Sequence, residues 1–197
     1  MQPGCLTLRL IPLPTFTKRT FAVMHKFLID SNVFFQAKNF HYRFDFCSQF
    51  WKWVEHAHLH GIAYSTEKVK KEIMKGELDD PVKNWIEELP ATFFIPDDTD
   101  AAVMAKYAEV MRWSNANTHF RQHAKAEFAK STVADAFLLA TAMAHGYSIV
   151  THELSKPEQR KKIQLPDAAL ELGVTTHFVY DVLNDYCDEH FNFRKLA

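Results

Sequence analysis

From residue 24 onward, short apolar runs alternate with longer stretches whose apolar positions recur every three to four residues. FLID at 27–30 reads as a buried strand. A helical region over about 33–60 follows, broken near the aromatic FHYRFDF, and Gly61 stands where a helix ends in a left-handed residue. IAY is the second strand, after which Ser65 or Thr66 caps a helix running through Lys75 and stopping at Gly76. Asp80-Pro81 opens VKNWIEEL, Pro90 ends it, and TFFI is the third strand. Residues 98–112 form an amphipathic helix. An unassigned stretch follows, and Ser131 or Thr132 then caps a helix to His145, with Gly146 just beyond. YSIVT and THFVY are the fourth and fifth strands, separated by a loop holding Pro157 and Pro166 and a short helix ending at Gly173. Strands joined by helical crossovers imply a mainly parallel sheet covered on both faces: an α/β fold, specifically a three-layer α/β/α sandwich.

Length and composition narrow the picture. With 197 residues, 47% of them hydrophobic and 24% charged, the chain suits one domain built around a core. No apolar run approaches the roughly 18 residues that a membrane-spanning helix needs. Residues 1–23 lack the layout of a secretory or transit signal, and Met24 stands directly before the strand-like HKFLID. The expected domain therefore covers 24–197, with 1–23 a flexible or wrongly assigned extension. Cys5, Cys47 and Cys187 are odd in number, widely spaced and free of CxxC pairing, which points to a reducing, cytoplasmic setting. The five glycines cannot supply GxGxxG, GxxxxGK or GxSxG, so dinucleotide, P-loop and serine-hydrolase chemistry lose their usual support.

The formal net charge of -1 conceals a split. Arg9, Lys18 and Arg19 fall in the first 23 residues with no acid, leaving 20 basic against 24 acidic residues, a formal -4, in the remainder. Such a body attracts a polyanion only through a local basic strip or bridging metal ions. Ligands of a parallel sheet bind beyond the carboxyl ends of its strands, and four acids belong there. Asp30 closes the first strand, Glu153 follows the fourth, Asp135 opens the helix before the fourth, and Glu72 lies in the helix after the second. Glu72 is the least favourably placed, about 9 Å along its helix, although a glutamate leaning back toward the helix start can reach the rim. Taken singly, each acid is also explained by a turn, a cap or a helix-face ion pair. Four carboxylates on one rim require cations, and all-oxygen ligands suit Mg²⁺ or Mn²⁺. Paired hard cations are a recurrent device for phosphodiester hydrolysis.

FLIDSNVF, VKKEI and STVADAFLLATAMAHGYSIVTHE, with their spacing, resemble a PIN-domain ribonuclease of the kind found as the VapC-like toxin of type II toxin–antitoxin pairs. KNFHYRFDFCSQFWKWV and KKIQLPDAALELGV are similar to a poorly characterised PIN-like branch. The resemblance runs from about His25 to Val179. It implies a PIN fold and metal-dependent RNA cleavage, with Asp30, Glu72 and Asp135 as the first three acids. Glu153 stands at a fourth position where aspartate is commoner. Asn32 and Thr151 match polar positions that orient the ligands, and Lys68, Lys71, Lys75, Arg160, Lys161 and Lys162 are candidate RNA contacts. A protein antitoxin and a homodimer are the partners it implies.

Other signals compete. The HxHxH of His56, His58 and His60, and the pair His119 and His123, are expected to be exposed histidines rather than metal ligands, since no carboxylate or cysteine completes either set. Phe46, Phe50, Trp51 and Trp53 are expected in the core or at an interface. Asp167 reads as a helix-capping residue. One rival function is an α/β phosphatase with Asp30 as nucleophile, weakened because DSN lacks the second acid of DxD. The other is a degenerate PIN-like module that binds RNA or protein without cutting it.

Overall fold

The computed structural model describes residues 25–194. The extension over 1–23, with Cys5, lies outside the described residues. FLI forms β1 (Phe27–Ile29), buried at all three positions, as a strand covered on both faces requires. The other strands are β2 (Ala63–Thr66), β3 (Phe94–Ile95), β4 (Ser148–Val150) and β5 (Thr176–His177). Their order is β3-β2-β1-β4-β5, every pairing is parallel, and Leu28 lies opposite Tyr64 on one side and Ile149 on the other. The fold is the α/β/α sandwich expected from the sequence. The chain runs one way from β1 to β2 and β3, then crosses back to β4 and β5. A topological switch point therefore opens between the carboxyl ends of β1 and β4.

Helices α1 (Ser31–Gln36), α2 (Ser48–Leu59), α3 (Glu67–Ile73) and α4 (Pro81–Glu88) fill the crossovers from β1 through β2 to β3. Thr66 caps α3 by accepting from the Val69 amide, and Asp80 caps α4 by accepting from the Val82 amide. The return crossover holds α5 (Ala101–Ala116), α6 (Gln122–Phe128) and α7 (Asp135–His145). Helix α7 is buried continuously from Ala136 to Ala142 because it lies across β2 and β4 and also packs on α5 and α8 (Leu165–Glu171). A helix covered on all sides must be apolar all round, as AFLLATA is. Gly61 and Gly146, at φ +73° and +70°, end α2 and α7 in the left-handed conformation that glycine adopts without a Cβ penalty.

Several expected boundaries move. FHYRFDF does break the first helical region, through a π-helical turn (Ala37–His41) and a loop. Helix α3 stops at Ile73, and Gly76 has no left-handed φ. The amphipathic helix begins at Ala101, capped by Asp100, and runs on to Ala116. Neither Ser131 nor Thr132 caps α7, whose N-cap is Ala134 without a side-chain bond. THFVY contributes only two strand residues, after which α9 (Val179–Tyr186) begins, buried through Val179, Val182, Leu183 and Tyr186. The i, i+3, i+4, i+7 spacing of those four residues is a helical signal hidden by the β-branched start of the segment.

Phe50, Trp51 and Trp53 are core residues. Trp51 stacks on Phe44 at 4.0 Å, and its Nε1 donates to the Tyr42 carbonyl at 2.7 Å. Trp53 Nε1 donates to the Tyr186 carbonyl at 3.0 Å, so both buried indoles keep a partner. Phe46 stays outside. His58 departs from the expected exposure: it is buried, its ring nitrogens 3.0 Å from the Ala63 carbonyl oxygen and from Thr92 Oγ1. His56, His60 and His123 are exposed, and His119 is half-buried. No helix among the described residues is long and apolar enough to cross a membrane.

Candidate active site

Asp30 leaves β1 at the switch point and is 3% exposed. Its main-chain amide donates to the Val150 carbonyl at 3.0 Å, which ties the end of β1 to β4. Ser31 Oγ donates to Asp30 Oδ1 at 3.4 Å, and two further side chains hold Oδ2. Asn32 Nδ2 donates to Asp30 Oδ2 at 2.5 Å, and Thr151 Oγ1 donates to the same oxygen at 2.9 Å. Asn32 Nδ2 also reaches Thr151 Oγ1 at 2.9 Å, while Asn32 Oδ1 accepts from the His152 amide at 2.9 Å. The polar residue two places after Asp30 and the hydroxyl two before Glu153 thus form one network across β1 and β4, the geometry of groups that orient a ligand.

Asp30, Glu72, Asp135 and Glu153 line a single cavity of about 330 Å³. Four elements deliver them: the end of β1, the last turn of α3, the first residue of α7 and the loop after β4. Glu72 reaches the cavity despite its distance along α3. Burial pushes the Asp30 carboxyl up to about 7; the Thr151 hydrogen bond opposes this, and Glu153 and Glu72 add to it. Burial likewise pushes Asp135 up to about 8, with Asp30 and Glu153 contributing repulsion. Two carboxyls of one cavity therefore hold protons near neutral pH when no cation balances them.

Glu153 is differently engaged. Its Oε1 accepts from Lys162 Nζ at 2.6 Å and its Oε2 from the Leu165 amide at 2.9 Å, so it closes the loop over 154–164 and satisfies an open amide at the start of α8. Partial burial works against the Lys162 charge, but the Glu153 hydrogen bond and the nearby carboxylates outweigh it and raise its pKa. Asp167 ties down the same loop by accepting from Ser155 Oγ and, at 2.9 Å, from the Lys156 amide. It lies in the first turn of α8, yet it serves the neighbouring loop rather than capping its own helix.

The candidate RNA contacts divide. Lys161 and Lys162 line the cavity. Lys68 does not: its side chain is 12% exposed, pairs with Asp98 at 2.8 Å and lies over the Phe137 ring. Lys71 faces Asp98 at 4.0 Å, Lys75 is exposed beyond the end of α3, and Arg160 Nε donates to the His119 carbonyl; none of these three lines the cavity. The structure adds His123 and Glu127 to the cavity wall, both from α6. That helix lies between the amphipathic helix and α7, where the i, i+4 spacing of Ala124 and Phe128 is the helical signal in the sequence.

The cavity chemistry suits a hard divalent cation, being four carboxylates with two raised by burial and mutual repulsion. Among the described residues, no three histidine, cysteine or acidic side chains stand drawn together as a ready coordination group. Fold and cavity define a parallel α/β/α protein with an acidic pocket at its switch point. The chain belongs to the family described as Domain of unknown function (DUF4411), whose model matches residues 27–187 and so spans every wall of the cavity. No curated protein matches it.

Proposed function

We propose that this protein is a PIN-like, metal-dependent endoribonuclease that hydrolyses RNA phosphodiester bonds in the cytoplasm as the toxin of a type II toxin–antitoxin pair. The observation that carries this reading is the convergence of Asp30, Glu72, Asp135 and Glu153 on one cavity at the switch point. Asp30, Glu72 and Asp135 would hold the principal Mg²⁺ or Mn²⁺, and Glu153 would help hold a second or order the attacking water. When bound, the ion supplies an activated water and offsets charge on the phosphoryl oxygens. Asn32 and Thr151 keep the Asp30 carboxylate in one orientation. Lys161 and Lys162 at the cavity wall face the flanking phosphate charge. Asp30 and Asp135 retain protons until positive charge arrives, so loading the site releases them. An antitoxin would cover the acidic rim, and a homodimer is compatible with this role.

One observation favours a second reading. Both Glu153 oxygens are already committed to Lys162 and Leu165, as suits a PIN-like module that binds RNA or protein without cutting it. The phosphatase reading gains nothing comparable, since Asn32 stands where the second acid would be. Purified protein, Asp30→Asn and Asp135→Asn are compared on a mixed RNA pool with Mn²⁺ and with chelator. Cleavage by the wild type in Mn²⁺ alone, falling about a hundredfold or more in both variants, is expected. Cleavage retained by both variants rejects the chemistry.

A further inference from the structure

We propose that His41, His152 and Tyr180 form a base-stacking subsite beside the carboxylate cavity and that its ligand is single-stranded RNA. This deepens the nuclease reading and rests on it. Three separate elements bring the rings together. His41 ends the π-helical turn after α1, His152 follows β4, and Tyr180 stands in the first turn of α9. The centroids of His41 and His152 are 5.9 Å apart, those of His41 and Tyr180 5.9 Å, and those of His152 and Tyr180 5.7 Å. The group is not core: His152 is half-buried, His41 is exposed, Tyr180 is 43% exposed, and Phe40, 68% exposed, extends the group 6.3 Å beyond His41.

Its position argues for a nucleic acid. Residues 151, 152 and 153 divide between the two features: Thr151 bonds to Asp30, Glu153 lines the cavity, and His152 between them belongs to the ring cluster. Two hydrogen bonds, from the His152 amide to Asn32 and from Asn32 to Asp30, join the cluster to the buried carboxylate. None of the three rings lines the cavity itself, so on this proposal a strand with a phosphate at the carboxylates continues past residues 151–153 to set a neighbouring base against them. Charge argues the same way. From Met24 onward the formal charge is -4, and Lys161 and Lys162 are the two lysines lining the cavity, so few phosphates are neutralised and counterion release adds little, whereas stacking is indifferent to charge and accepts any base with a π-face. A duplex, its bases already stacked, offers the cluster nothing.

Fluorescence anisotropy tests this with fluorescein-labelled 12-mers of adenylate and uridylate and a 12-base-pair RNA duplex, with Ca²⁺ replacing Mg²⁺. Mn²⁺-dependent cleavage is followed in parallel. The wild type is expected to bind oligoadenylate more tightly than oligouridylate, and the duplex least. Tyr180→Ala and His41→Ala should each weaken oligoadenylate binding about tenfold and narrow the adenylate preference, while Tyr180→Phe stays within about twofold. Alanine variants that bind as the wild type does, beside intact wild-type cleavage, overturn the subsite and leave the nuclease reading standing. Tyr180→Phe failing as badly as Tyr180→Ala overturns stacking in favour of the hydroxyl. A wild type that neither binds nor cleaves RNA overturns both readings.

Discussion

Replacing Asp30 by asparagine should make the metal-free protein more stable at alkaline pH. A carboxyl moved from an ordinary 3.8 to about 7 in the folded state favours the protonated fold. The native state then binds more protons than the unfolded chain between those values, so stability is greatest below about 4 and is lost as pH rises through 7. At pH 8 the penalty approaches about 4 kcal/mol, and at pH 5 it is under about 2 kcal/mol. Asparagine removes the charge but also weakens the hydrogen bonds from Asn32 and Thr151, each worth roughly 1 kcal/mol. The net gain at pH 8 should therefore be about 1–3 kcal/mol, or a Tm higher by about 3–9 °C. Thermal melts by circular dichroism in chelator, at pH 8 and pH 5, measure it. A variant no more stable than wild type at pH 8, or one whose advantage grows toward pH 5, would refute the reasoning. An accompanying loss of RNA cleavage could not then be blamed on unfolding.

Two further outcomes follow from the same geometry. Mg²⁺ or Mn²⁺ at a hundredfold over its dissociation constant should stabilise the wild type by about 2.7 kcal/mol, visible as a Tm rise that Asp135→Asn abolishes; equal shifts in both proteins would place the ion elsewhere. Glu153→Ala leaves the Leu165 amide without its acceptor and frees Lys162, so stability should fall by about 1–2 kcal/mol. The exposed ion pair contributes the smaller share. Limited trypsin digestion should then cut faster after Lys161 and Lys162, and an unchanged cleavage rate would show that Glu153 does not hold this loop.

Much of the site was legible because its residues occupy marked places in the pattern. Asp30 ends an apolar strand, Asp135 opens an apolar helix, and Glu153 follows another strand, so the rule that parallel sheets bind ligands at their carboxyl edge collected them without coordinates. His123 and Glu127 escaped because α6 is only seven residues long and largely polar on its outer face, too weak a periodicity to separate from a loop. Lys68 misled for the opposite reason. In sequence it is one of several lysines on a helix, but Asp98 and Phe137, both distant along the chain, take it out of reach.

The amino-acid order alone determined the layering, a mainly parallel sheet and acids placed for one edge of it, because strand and helix periods are local and crossover handedness leaves few topologies. Only the tertiary structure decided which oxygens are free. Whether Glu153 faces a cation or closes its own loop, and whether three rings from separate parts of the chain meet, depends on contacts between residues more than a hundred positions apart in some pairs. Local propensity carries no information about such contacts, because it sums energies within a turn or two. Burial and charge act through space.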